Sequence, residues 1–87
     1  MTNKLKLFIG NWKMFGDFGS IKIINRIQRF AYKFKYRKKF KIIFCIPNTL
    51  ISTFSKKFKS KSILIGAQNS HYKKQYGPFT GSVNALM

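Results

Sequence analysis

Negative charge is almost absent from this sequence of 87 residues. Asp17 is the only acidic residue, glutamate does not occur, and 18 lysines and arginines give a net charge of +17. The chain therefore offers a single side-chain carboxylate, and that residue lies in the glycine-containing stretch 11–19, which is typical of a loop. We expect Asp17 to form a turn or to cap a helix rather than to abstract protons.

Cysteine and histidine are equally scarce. With one cysteine, Cys45, and one histidine, His71, the chain cannot form an internal disulfide or assemble a zinc site from its own ligands. Long apolar runs are also missing, because the longest, Ile42–Ile46, is far shorter than the ~18 residues of a membrane helix. Lys13 and Asp17 interrupt the N-terminal apolar stretch before it reaches the length of a signal peptide. The sequence therefore predicts a cytoplasmic protein.

The length limits the chain to one domain, residues 1–87. A chain this short buries only a little over ~60% of the surface that its unfolded form exposes, which argues against a large independent enzyme. No GxGxxG or GKS/T loop follows any apolar run, so neither dinucleotide binding nor P-loop nucleotide binding is predicted.

The high positive charge has two interpretations. Lysine, isoleucine, phenylalanine, asparagine and tyrosine, whose codons are rich in A and T, make up more than half of the chain, so drift of the coding DNA explains much of the charge. A polyanion partner is the alternative, because clustered cations gain affinity by releasing counterions from phosphates. The cations are spread along the chain and are mostly lysine, which favours a solvated surface, although non-specific binding of polyanions follows from the charge in either case.

Three short apolar runs, residues 4–10, 41–46 and 62–67, predict β-strands buried on both faces of a parallel sheet. Between them, apolar residues recur at helical spacing behind two expected N-caps, Ser20 and Asn48. The two stripes consist of Ile24, Ile27, Ala31 and Phe34, and of Leu50, Phe54 and Phe58. The order strand, helix, strand, helix, strand predicts an α/β fold with right-handed crossovers.

Polar and charged residues complete this pattern. The other face of the first helix is basic, and a cationic run from Lys35 to Lys41 follows it, where the helix dipole favours positive charge. Residues 68–81 form a long polar loop, and Ser82 is expected to cap a third helix that includes Ala85, Leu86 and Met87.

The segment with chemical potential follows the first strand. Asn11 and Lys13 are two residues apart, so in an extended segment they point to the same side, where an amide and an ammonium could hold an anionic oxygen. Trp12 between them is expected to pack beneath this loop, and Cys45 is expected to be a small buried apolar residue.

Three motifs in this sequence resemble those of the triosephosphate isomerase family. Gly10–Met14 is similar to the family's GNWKM signature, Gly66–Asn69 to its GAQN, and Gly77–Gly81 to its GAFTGE loop, with proline in place of alanine. The resemblance implies an eight-stranded (β/α) TIM barrel of ~250 residues, of which these residues form the first three βα units as a single partial domain. It also implies a homodimer that interconverts dihydroxyacetone phosphate and glyceraldehyde 3-phosphate in glycolysis and gluconeogenesis, without metal or cofactor.

Residue by residue, the resemblance assigns two substrate-binding positions. Asn11 would hydrogen-bond around the substrate oxygen, and Lys13 would be the catalytic cation that stabilises the phosphate and the growing enediolate charge. The family's base is a glutamate after the sixth strand and its electrophile a histidine after the fourth, and neither is present here. His71 follows the third strand and is expected to be a surface loop residue. We therefore expect negligible isomerase turnover from these 87 residues alone.

The same resemblance assigns the loop after the third strand to the dimer interface. Phe79, Thr80 and Gly81 would lie at its tip, with Thr80 nearest the partner's Asn11 and Lys13. Ser82 stands where the family usually has glutamate, so an ion pair is lost.

A small nucleic-acid-binding protein is the alternative function. Its cationic patch and its interleaved aromatic residues would come from one segment: Lys35, Arg37, Lys38, Lys39 and Lys41, with Tyr32, Phe34 and Tyr36.

Overall fold

The computed structural model of the protein describes residues 4–59 and 62–87. Three parallel strands form one sheet in the order β1-β2-β3, and a helix follows each of the first two strands. The strands are β1 (Lys6–Asn11), β2 (Phe40–Ile46) and β3 (Ile63–Ala67), and the helices are α1 (Ile21–Lys33) and α2 (Asn48–Lys57). The predicted α/β class and the three strands are confirmed, and the sheet is open rather than closed.

A short 3-10 turn, Phe18–Ser20, leads into α1. Asp17 caps this turn, because its carboxylate accepts a hydrogen bond from the Ser20 amide at 3.1 Å while the Ser20 hydroxyl accepts one from the Asp17 amide at 3.0 Å. The predicted capping role of Asp17 is therefore confirmed. Ser20 precedes α1 as predicted, but its side chain caps no amide of that helix, since the hydroxyl is engaged with Asp17.

The apolar stripe of α1 packs on the sheet for most of its length. Ile24 and Ala31 are buried and Ile27 is half-buried, whereas Phe34 lies beyond the last helical residue and is exposed. Phe34 instead joins an aromatic cluster with Phe30, Tyr36 and Phe40 at the end of α1.

Pro47 ends β2 and occupies the N-cap position of α2. Asn48 is the first helical residue, so its predicted role as the cap is wrong, and the amide of Leu50 bonds to the Pro47 carbonyl instead. The predicted stripe of α2 is confirmed, because Leu50, Phe54 and Phe58 are all buried.

The two faces of the sheet have opposite environments. Strand residues alternate between faces, and Phe44, Ile46 and Ile63 point toward the helices, where they form the core with the stripes of α1 and α2. We call this the covered face. Its fully buried side chains are large and apolar: Phe54, Ile24, Ile46, Leu50 and Ile63.

The opposite face, which we call the open face, carries Leu7 and Ile9 of β1, Ile43 and Cys45 of β2, and Leu64 of β3, as the register of the strands shows. All six residues of β1 are exposed, so the prediction that this strand is buried on both faces is wrong. Among the described residues, no helix covers the open face, and β1 is an edge strand that pairs only with β2.

The segment after β3 has no regular secondary structure among its described residues, and the predicted third helix is wrong. The Asn84 side chain takes the place of helical hydrogen bonds: its amide donates to the carbonyls of Lys73 and Gln75, at 3.1 and 2.9 Å, and its oxygen accepts from the Met87 amide at 3.2 Å. Neither described helix is long and apolar enough to cross a bilayer.

Candidate functional site

The carboxyl end of β1 brings Asn11 and Lys13 together through the backbone. Asn11 is the last residue of the strand, and its Oδ1 accepts a hydrogen bond from the Lys13 amide at 2.7 Å. Lys13 has a φ of 56°, in the left-handed region that residues other than glycine rarely adopt. The segment therefore turns at Lys13, so the extended geometry predicted from the sequence is wrong, although the two residues do meet.

Gln68, which follows β3, holds this turn in place. Its Nε2 donates to the Lys13 carbonyl at 2.6 Å and to the Cys45 carbonyl at 3.3 Å. The Trp12 amide donates to the same Cys45 carbonyl at 3.0 Å. The carboxyl ends of three neighbouring strands are thus joined by one side chain, a role that sequence reasoning did not assign to Gln68.

Trp12 anchors the turn to the core beneath it. Its indole makes edge-to-face contacts with Phe44 and Phe54, at ring-centre distances of 6.0 and 6.2 Å. This packing confirms the structural role expected of Trp12. Gly16 completes the seat, because a Cβ at this position would lie 2.7 Å from the indole ring.

Cys45 is half-buried rather than buried. It lies on the open face, where its partners in register are Asn11 and Gly66. The expectation of a buried thiol is therefore wrong, because the open face lacks a covering layer among the described residues.

The electrostatics of the turn are those of an uncompensated cation. The Lys13 side chain is exposed, and the only carboxylate side chain of the sequence, Asp17, is hydrogen-bonded to Ser20. An exposed ammonium without a carboxylate partner, beside an amide side chain, is suited to holding an anionic oxygen. Among the described residues, no three metal-ligating side chains come together.

His71 organises the loop after β3. Its ring stacks on Tyr72 and packs against Phe79, with ring centres 4.6 and 4.5 Å apart, and its Nδ1 accepts from the Lys73 amide at 3.1 Å. The His71 amide donates to the Val83 carbonyl at 2.8 Å. His71 is thus a structural residue of the loop, in line with the expectation that it is not a catalytic group.

The predicted dimer-loop residues lie in the same loop. Thr80 and Gly81 are exposed, Gly81 has a φ of 80°, and Phe79 is held against His71. No hydrogen bond or ring contact among the described residues joins these three to the turn at Lys13.

Comparisons with known proteins agree with these motifs. The family model described as triosephosphate isomerase matches residues 6–87. Triosephosphate isomerases of Bartonella henselae and Bartonella tribocorum are 34% and 35% identical over 88 aligned positions, which cover 100% of this chain and 34% of each relative. The crystal structure of the Bartonella henselae enzyme matches with a TM-score of 0.74 and 32% identity, over 90% of this chain and 30% of that one. The chain therefore spans about a third of the length of the curated relatives that it matches.

Proposed function

The chain belongs to the triosephosphate isomerase family, and we propose that Asn11 and Lys13 form the anion-binding part of an active site that interconverts dihydroxyacetone phosphate and glyceraldehyde 3-phosphate. The substrate would be a small phosphorylated triose, and the reaction would belong to glycolysis and gluconeogenesis in the cytoplasm. The observation that carries the proposal is the turn in which Asn11 accepts from the Lys13 amide at 2.7 Å, at the carboxyl end of a parallel strand. In barrel enzymes this end of the strands is the catalytic end.

The chemistry follows from what each side chain has left to offer. Because Oδ1 of Asn11 is engaged with the Lys13 amide, its Nδ2 group remains as a donor toward a substrate oxygen. The Lys13 ammonium stabilises negative charge, both on the phosphate and on the oxygen that becomes anionic when a proton leaves the neighbouring carbon. A cation that is already in position stabilises this transition state without reorganisation of its own.

Proton transfer needs groups that these 87 residues do not provide, since they contain no glutamate and their one histidine is committed to loop packing. The chain by itself is expected to show no isomerase turnover above that of a Lys13→Ala variant. Turnover well above that variant would contradict the assignment of proton transfer to other residues.

A chimera tests the proposed function directly. Residues 1–87 would replace the matching third of the Bartonella henselae isomerase, whose first third is 34% identical. We expect the chimera to be active, and Lys13→Ala in it to lower kcat by about 100-fold to 1,000-fold, as loss of one preorganised stabilising group does.

Lys74→Ala is the matched control, because Lys74 is an exposed lysine of the loop after β3 and its loss removes the same charge. Its kcat is expected to stay within about twofold of the parent, since surface substitutions away from a site have small effects. A folded chimera in which both variants retain full activity would refute the proposed role of Lys13.

The partner that we propose is a second copy of the protein, docked through Phe79, Thr80 and Gly81. The exposed position of Thr80 and the left-handed turn at Gly81 support this proposal. In the active chimera, Thr80→Arg is expected to shift the sedimentation coefficient from that of a dimer to that of a monomer. A dimer that persists in this variant would exclude the loop from the interface.

A further inference from the structure

We propose that the outer face of α1 binds single-stranded nucleic acid. The surface consists of four cations, which we call the basic stripe, and of two exposed aromatic rings beside it. The stripe is formed by Lys22, Arg26, Arg29 and Lys33, and the rings are those of Phe30 and Tyr32.

The basic stripe is straight and faces away from the protein. Its members follow one another at intervals of four, three and four residues, so they lie on one line along the helix. All four are exposed, whereas Ile24 and Ala31 on the opposite side of α1 are buried. From Lys22 to Lys33 the stripe extends over about 16 Å at 1.5 Å per residue, which is long enough to follow several phosphates of one strand.

No negative charge of the protein neutralises this stripe. Asp17, the only acidic residue, lies before the first turn of α1 and is hydrogen-bonded to Ser20. Lys35 and Lys39 continue the positive charge beyond the helix, where both ammonium groups lie over the ring of Tyr36, 5.6 and 5.3 Å from its centre. The complementary partner is therefore a chain of regularly spaced anions, whose counterions are released on binding.

The aromatic rings favour a partner that carries bases. Phe30 and Tyr32 lie roughly a quarter turn to either side of the stripe at 100° per residue, and they are 68% and 74% exposed. Rings that flank a cationic track are the arrangement on which successive bases stack. A duplex keeps its bases stacked inside, and a polysaccharide has none, so the flanking rings favour a single strand.

A membrane surface fits this helix less well. The apolar stripe of α1 is packed against the sheet, so the helix has no continuous apolar face to insert into lipid. The proposed surface is also separate from the turn at Lys13: α1 ends near the first residue of β2, whereas Asn11 pairs near its last, about 20 Å away along the strand. Binding there does not depend on the proposed isomerase function.

Fluorescence anisotropy with a labelled 15-nucleotide oligo(U) tests the charge component. The variant Arg26→Gln/Arg29→Gln/Lys33→Gln is compared with Lys56→Gln/Lys57→Gln/Lys59→Gln, which removes three exposed charges at and just beyond the end of α2. For the stripe variant we expect affinity to fall at least tenfold and the slope of log K against log salt to become shallower by about 2, at ~0.7 for each lost phosphate contact on a single strand. For the control we expect the slope to stay as in the parent. Equal losses of affinity and slope in both variants would overturn the proposal.

A second pair of variants tests the stacking component. Tyr32→Leu is compared with Tyr76→Leu, because the two tyrosines are 74% and 78% exposed and both changes leave the charge intact. Tyr32→Leu should weaken oligo(U) binding about fivefold or more, leave binding of a heparin oligosaccharide unchanged, and Tyr76→Leu should alter neither. Equal effects of the two changes on oligo(U), preference for a duplex of the same length, or stripe-dependent binding to anionic phosphatidylserine vesicles without binding to oligo(U), would each overturn the assignment to single strands.

Discussion

The covered and open faces of the same three strands have similar amino acids and opposite environments. On β2, Ile46 points to the covered face and is 0% exposed, whereas on β1, Ile9 points to the open face and is 62% exposed. Leu7 and Leu64, also on the open face, are 53% and 39% exposed. The difference lies in the helices, since α1 and α2 both pack on one side. An apolar strand thus records that its fold covers both faces, but not which residues supply the cover.

Membership of a barrel family explains why the open face is apolar. In a closed (β/α) barrel the inward side chains fill the interior in layers, and Leu7, Ile9, Ile43 and Leu64 occupy that side of the sheet. The covered face holds the packed core of the described residues, while the open face carries an interior surface without its counterpart among them.

The largest effect that tests this comparison comes from isoleucine truncations on the two faces. Ile46→Ala removes a fully buried side chain and is expected to lower the free energy of unfolding by about 2–5 kcal/mol. Ile9→Ala removes a side chain that is mostly solvated, so the expected loss is below about 1 kcal/mol. Urea unfolding followed by circular dichroism measures both. Equal losses would show that the open face is packed in solution, for example against a second copy of the chain.

Much of the covered face was predictable from the sequence. The 3-4 spacing of apolar residues gave the buried stripes of α1 and α2, and Pro47 marked the end of β2. These features depend on neighbours within a few residues, which a single sequence displays directly. The exposure of β1 was not predictable in this way, because it depends on which elements pack against its far side.

The turn at the candidate site illustrates the same limit. The sequence placed Asn11 and Lys13 together, yet the left-handed backbone of Lys13 depends on Gln68, which lies 55 residues away. The absence of the third helix likewise depends on Asn84, whose amide reaches back 11 and 9 residues to two loop carbonyls. Long-range polar contacts of this kind leave no periodic signal in a sequence.

A glycine pair measures how firmly the site is attached to the covered face. Gly16 has a φ of 111°, and an added Cβ would meet the Trp12 ring at 2.7 Å, whereas nothing lies within 4 Å of such an atom at Gly10. Gly16→Ala is expected to cost about 1–3 kcal/mol of stability and to shift the emission of Trp12, the only tryptophan, to longer wavelength. Gly10→Ala should leave both the stability, within about 0.5 kcal/mol, and the emission unchanged. A buried indole signal in both variants would show that Trp12 is not seated as described.

The smallest expected effect concerns the polar link at the carboxyl edge of the sheet, where Gln68 bonds to the carbonyls of Lys13 and Cys45. Gln68→Met preserves the length of the side chain and removes its donor, so stability should fall by only about 0.5–1.5 kcal/mol, the usual contribution of a hydrogen bond. The local consequence should be larger than the global one, because the amide of Lys13 loses the contact that holds its left-handed turn and should exchange with solvent faster. Amides in α2 serve as the internal reference, since they lie on the covered face and should exchange as in the parent. If Lys13 and α2 amides accelerate equally, Gln68 supports the whole fold rather than the site, and the separation between the two faces does not extend to this edge.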